Sequence, residues 1–263
     1  MPESVQRSRG GGTSAVRTET ARRFVEALRE RFAAHADPAC AAPMQAYMRS
    51  AMPCYGIKAP LRRRLTAQLV QSLPLPDTAT LTEAMRTLWR QARFREERYA
   101  AMELARVGPH RQLLDVSMLP LYEEMIASGA WWDYCDDISA GAVAPLLQQH
   151  PRTVKPLLRR WARSDNLWLR RAAFLCQRSL RPPHFDAVLF YDTILPSIGA
   201  SASASEFFIR KGIGWALRSR SYSAPDEVIA FVREYDAQLS PLTKREAMKV
   251  IARRTARAAG RTS

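Results

Sequence analysis

No stretch of this 263-residue sequence alternates apolar and polar residues with a period of two, whereas segment after segment places apolar residues at helical spacing. Phe24, Leu28 and Phe32 stand at i, i+4 and i+8, as do Leu61, Leu65 and Leu69, and Leu169, Ala172, Ala173, Cys176 and Leu180 follow i, i+3, i+4, i+7 and i+11. Side chains so spaced share one helix face, and that face must be covered by other helices because no sheet is on offer. Pro60 and Pro120 suit first helical positions, and Gly129 suits a stop. Helices are expected over 21–35, from Pro43, from Pro60, over 78–90, 94–107 and 120–129, from Trp131 to a stop at Pro145, and over 154–162, 166–180, 184–198, 205–218, 225–235 and 242–254. The fold class is all-α, with short loops joining stacked antiparallel helical pairs. Residues 1–17, with Gly10-Gly11-Gly12, read as a disordered leader; 18–254 read as one helical-repeat domain and 255–263 as a basic, frayed tail.

Charge narrows the partner. Forty basic residues against 25 acidic ones leave +15, which points to a polyanion: nucleic acid first, an anionic membrane second. Only five of the 40 are Lys, and an Arg fork suits phosphate; a GC-rich genome produces the same bias. Cys40, Cys54, Cys135 and Cys176 show no CxxC or Cys/His spacing and read as free thiols, and His35, His110, His150 and His184 are scattered. No metal site and no cofactor is expected. No run of 18 apolar residues and no secretory h-region occurs, so the reading is cytoplasmic, nucleoid-associated in a bacterium, with no membrane partner.

The segment Trp131-Trp132-Asp133-Tyr134-Cys135-Asp136-Asp137 stands out. As a helix it puts Trp131, Cys135, Ile138 and Ala142 on a core stripe, and Trp132 and Asp136 on the row beside it. Such a row fits a buried indole beside a solvated acid as well as it fits a site. In the helix from Asn166, Arg171 lies off the apolar stripe and is expected to point away from it. In Glu206-Phe207-Phe208-Ile209-Arg210-Lys211-Gly212-Ile213-Gly214-Trp215, the row Phe208, Gly212 and Trp215 flanks the stripe of Ile209, Ile213 and Ala216. Gly212 and Gly214 each cost about 1 kcal/mol relative to Ala inside a helix. Tight helix packing explains them, and so does close approach of a ligand. Arg62, Arg63 and Arg64 in the first turns after Pro60 read either as a phosphate site or as a solvated basic face.

Together with Tyr47-Met48, Gly56-Ile57-Lys58-Ala59-Pro60 and Leu239-Ser240-Pro241-Leu242-Thr243-Lys244-Arg245-Glu246-Ala247, these segments resemble, in order from about Tyr47 to Ile251, the DNA alkylation repair family of AlkD-type glycosylases. The resemblance implies a HEAT-like repeat solenoid with a concave basic face. It also implies excision of cationic N3- and N7-alkylated purines from double-stranded DNA by a monomeric enzyme, with the lesion left in the duplex. Carried over by motif, the catalytic carboxylate corresponds to Asp136, the active-site tryptophans to Trp132 and Trp215, and the active-site arginine to Arg171. Asp133 and Asp137 are the rival acids. Tyr47, Lys58, Arg62, Arg210, Lys211, Arg218, Lys244 and Arg245 are the expected DNA-binding residues. Two other classes share the fold and charge: a non-catalytic binder of damaged or branched DNA, and a scaffold for an acidic protein.

Overall fold

Apolar stripes with a 3.6-residue period have to be covered by other helices, and in the computed structural model, which describes residues 10–259, helices cover them in two compact units, one ending at Leu121 and the other beginning at Tyr122. The fold is all-α; no strand occurs among the described residues. A single domain over 18–254 was the expectation, and the division falls inside a helix, α6 (Leu119–Gly129).

The first unit holds α1 (Gly10–Ala33), α2 (Pro38–Met48), α3 (Ala59–Ser72), α4 (Thr78–Arg90) and α5 (Arg95–Glu103), followed by three short 3-10 turns. Phe24, Leu28 and Phe32 of α1 are fully buried against α3 and α4. Burial of each such side chain is worth about 1.5–3 kcal/mol. The expected leader differs from the structure: residues 1–9 lie outside the described residues, but 10–17 are the first turns of α1. Once a helix is nucleated, each added residue gains a backbone hydrogen bond. Arg22 braces the exposed face through Glu19 at 2.7 Å and Glu26 at 2.6 Å. In α2 the start is Pro38 rather than Pro43, because the Asp37 carboxylate accepts the Ala39 and Cys40 N–H groups and the proline ring presets the first helical φ.

Glu96 fixes the loop that leads into α3. Its buried carboxylate accepts the backbone N–H groups of Tyr55, Gly56 and Ile57 at 2.9, 2.9 and 3.1 Å. Gly56 has φ +86°, and a Cβ there would stand 2.0 Å from the Asp37 carbonyl oxygen, so only glycine fits. Buried His110 ties two further segments together: its Nε2 accepts the Leu75 N–H at 3.0 Å, which leaves Nδ1–H to donate to the Leu104 carbonyl at 3.2 Å. Burial holds this imidazole below its ordinary pKa, so the unfolded chain binds the proton more readily than the folded one. Stability should therefore fall as pH drops through about 6.5, the unfolded value. Urea midpoints measured between about pH 7.5 and 5 test this; a midpoint constant over that window would contradict it.

The second unit continues with α7 (Trp132–Ile138), a π-helical turn (Ser139–Val143), α8 (Ala144–Gln149), α9 (Pro151–Ala162), α10 (Leu167–Leu175), α11 (Ala187–Ile194), α12 (Phe207–Arg220), α13 (Pro225–Glu234) and α14 (Pro241–Ala259). Pro145 was expected to end the helix opened by the tryptophans; instead the helical path continues through it to Gln149. A proline ring clashes with the carbonyl four residues before it, and the wider π turn sits where that clash would fall. Helix α10 stops at Leu175, short of 180, although Cys176 and Leu180 remain buried. Helix α14 runs to Ala259, through the first part of the expected frayed tail. Its start is capped by Ser240, whose Oγ accepts the Thr243 N–H, while the Thr243 hydroxyl donates to the Arg210 carbonyl and the Glu246 carboxylate accepts from Lys211, both on α12. The core draws on Phe174, Phe190, Ile194, Ile209, Ile213, Leu217, Val228 and Ala247, so α10, α11, α12, α13 and α14 pack as one cluster. Cys54, Cys135 and Cys176 are buried, Cys40 is partly exposed, and none of the four is joined in a disulfide. No described helix is long and apolar enough to cross a membrane.

Candidate active site

The row beside the core stripe of α7 meets the corresponding row of α10. Arg171 does not point away from the interior, as its place off the apolar stripe suggested; it is 4% exposed. Its Nε donates to Asp136 Oδ1 at 2.7 Å and its Nη2 to Oδ2 at 2.8 Å, a bidentate fork, while Nη1 donates to the Phe208 carbonyl on α12. One guanidinium thus joins three helices. The charge carried by Asp136 explains the inward turn: a carboxylate on the neighbouring helix face offers a buried guanidinium the partner it needs. Ser139, the first residue of the π turn, donates its hydroxyl to the Asp136 carbonyl at 3.2 Å.

The Asp136 side chain keeps 11% of its surface. Burial pushes its carboxyl above the ordinary range, and the Arg171 guanidinium opposes the push through its hydrogen bonds and its charge. Arg178 helps lower it and Asp133 adds repulsion. Next to it Cys135 is sealed in, its thiol raised by burial and donating to the Trp168 carbonyl at 3.2 Å.

Gly212 is explained by the same guanidinium. A Cβ at this position would stand 2.5 Å from Arg171 Nη1 and 2.9 Å from the Phe174 ring. Gly214 answers to α14 in the same way, 2.6 Å from Glu246 Cβ. Helix packing, rather than a ligand, takes up both spaces. Gly212→Ala should lose about 1–3 kcal/mol through overpacking, despite alanine's better helix propensity. A thermal melt at or above that of the unmodified protein would contradict this reading.

The three elements joined by the ion pair also bring aromatic rings together. Trp131, Trp168 and Phe208 form a cluster, with centroids 5.5 Å apart for Trp131–Phe208 and 5.0 Å for Trp168–Phe208. Trp132, in the first turn of α7, is partly exposed. Trp215 lies beneath Arg178, whose guanidinium carbon is 4.1 Å from the ring centroid. Burial lowers Arg178 and the charge of Asp136 raises it, so this arginine belongs to the same electrostatic group. Sequence reasoning missed Arg178, the Phe208 carbonyl and Trp168. Arg178 left one signal: it follows Arg171 by seven residues, the interval that returns to the same helical face. Of the rival acids, Asp133 is partly exposed and accepts the Tyr134 N–H at 2.9 Å, and Asp137 is also partly exposed.

The expected DNA-binding residues divide sharply. Tyr47 is 77% exposed, and Lys58 and Arg245 are exposed. Arg62 is the clear correction: it is 6% exposed, bonded to Glu103 at 2.9 Å and set over the Tyr99 ring, so it serves the interior of the first unit. Lys211 and Arg218 both bind Glu246, and Lys244 binds Asp236 at 2.8 Å. Arg210 is partly exposed. No group of three or more His, Cys, Asp or Glu side chains is gathered as a metal set among the described residues.

A search among curated proteins finds no match. A solved structure from Enterococcus faecalis, described as a predicted DNA alkylation repair enzyme, is 29% identical and superposes with a TM-score of 0.70, covering 81% of this chain and 95% of that one. The family model for DNA alkylation repair enzymes matches residues 28–251, through both units and the whole Asp136–Arg171 arrangement. With most of its length so matched, the chain belongs to the DNA alkylation repair enzyme family.

Proposed function

We propose that this repair enzyme is a monofunctional DNA glycosylase that hydrolyses the N-glycosidic bond of cationic N3- and N7-alkylated purines in duplex DNA, acting as a monomer. The observation that carries the reading is the Asp136 carboxylate, gripped on both oxygens by Arg171 yet not wholly closed from solvent. Breaking the bond develops positive charge on the sugar, and a purine already cationic leaves without being protonated first. An oriented negative charge near C1′ is then the main demand. Unit charges about 4 Å apart attract by about 4 kcal/mol at an effective dielectric of 20, which amounts to about a thousandfold in rate. The neighbouring Arg171 offsets part of that field, so the thousandfold is an upper bound.

Trp132 offers a π face to the cationic base or the sugar, a contact worth about 0.5–2 kcal/mol, whereas the Trp215 ring already carries the Arg178 guanidinium and supports it from below. Arg171 is not free to hold a phosphate, because its donors go to Asp136 and the Phe208 carbonyl. Its part is to orient Asp136 and keep it ionised. Arg178 is better placed to meet a backbone phosphate beside the lesion, being partly exposed.

A second reading is favoured by the same ion pair: with both carboxylate oxygens engaged, the pair could be a structural clamp in a DNA-binding relative without chemistry. Incubation with a duplex containing N7-methylguanine separates the two. The glycosylase accumulates abasic sites, seen as strand breaks after alkali, and leaves a uracil-containing duplex intact because neutral uracil is a poor leaving group. Binding without abasic sites would favour the clamp.

A further inference from the structure

The first unit contains a cationic cavity that the reading of the Asp136 site leaves unused. Its volume is about 350 Å³, and it is lined by Arg63, Arg106 and Arg111 over a floor that includes Ala67 and Val107. The one acid in its wall, Glu103, is already neutralised: Oε1 accepts from Arg62 at 2.9 Å and from Arg63 at 3.0 Å, and Oε2 is sealed from solvent. Two of the guanidinium groups are anchored through Nε and otherwise open. Arg63 is fixed on Glu103 while its side chain stays 62% exposed. Arg111 is fixed on the Arg106 carbonyl at 2.8 Å and is exposed. Tethered at the stem, each keeps its planar fork at the edge of the cavity with little rotamer freedom left to lose on binding.

We propose that this cavity binds a phosphoryl oxyanion. Three guanidinium groups around one space, facing a carboxylate spent on its own arginines, match the charge and the several acceptor oxygens of a phosphate. The backbone of bound DNA is one source of that group and a free phosphate compound is the other. The first source rests on the duplex-binding reading above; the second does not.

The test uses the full chain and two probes, a labelled undamaged duplex titrated at several salt concentrations and inorganic pyrophosphate followed by thermal shift. Arg111→Ala is compared with Arg23→Ala, which removes the same charge from the exposed face of α1, and with Arg111→Lys, which keeps the charge. If the cavity holds a DNA phosphate, Arg111→Ala weakens duplex binding several-fold and makes the log–log salt slope shallower by about 0.9. Arg23→Ala should leave that slope unchanged, and Arg111→Lys should recover most of the loss. If it holds a free oxyanion, duplex binding is unaffected and pyrophosphate raises the melting temperature of the unmodified protein but not of Arg111→Ala. The proposal is overturned if Arg111→Ala alters neither response, or if Arg23→Ala matches its effect in both. An unmodified protein that binds no duplex defeats the DNA reading instead, and the pyrophosphate arm then decides the cavity alone.

Discussion

Arg171→Met should destabilise the protein by about 3–5 kcal/mol at neutral pH, the cost of leaving a buried carboxylate without its cation. Methionine fills a similar volume, so the loss reports charge and hydrogen bonding more than a cavity. Asp136 would lose both of its guanidinium bonds, and the Phe208 carbonyl would lose a donor. Burial already pushes this carboxyl up; without Arg171 nothing of comparable strength opposes the push. The sign of the pH dependence follows. With its folded pKa above the unfolded value, the folded variant binds the proton more tightly, so its stability declines as pH rises between the two. Denaturant melts at about pH 5 and 8 should show the variant's deficit growing with pH. Asp136→Asn placed in the same chain should recover part of the loss, because the uncompensated charge is gone. A deficit independent of pH, or no recovery in the double variant, would mean that the pair is not the source.

Asp136→Asn in the otherwise unmodified protein should lower release of N7-methylguanine by about ten- to a thousandfold, the span set by how far water and Arg171 screen the field at the sugar. The substitution keeps size and helix position and removes the negative charge. Duplex affinity should hold or rise slightly, since a carboxylate near phosphates is repulsive before the bond breaks. Asp133→Asn and Asp137→Asn should have much smaller effects, both acids being partly exposed and so better screened. Single-turnover rates with enzyme in excess isolate the chemical step. If Asp133→Asn or Asp137→Asn abolished release while Asp136→Asn kept the full rate, the assignment of the carboxylate would be wrong.

The helical period of the sequence was enough to place Asp136 beside the core stripe of α7 and to set Gly212 and Trp215 on one face of α12. The inward aim of Arg171 was not legible, because a stripe is recognised by its apolar members and the acid that draws this arginine in lies 35 residues earlier in the chain. Arg62 misled for the same reason: in sequence it stands in a run of three arginines, and only its meeting with Glu103, 41 residues on, separates it from its exposed neighbours. Gly212 signalled a close approach without saying to what, since glycine records an absent Cβ and not the group that needs the space. At the ends of α1 and α14 the helix outlasts its apolar stripe, and periodicity gives no boundary where the added residues, 14–19 and 255–257 among them, are exposed. Pro145 would stop an ordinary α-helix, and a switch to a π turn leaves no distinct trace in composition.

The most direct measurement is chromatographic detection of free base after the unmodified protein and Asp136→Asn are each incubated, in excess, with a duplex carrying a single N7-methylguanine. The glycosylase account predicts free N7-methylguanine from the unmodified protein, in amounts matching the abasic strand, and release at least about tenfold slower from the variant. Binding of the duplex by both proteins with no base freed above the spontaneous rate by either would contradict it.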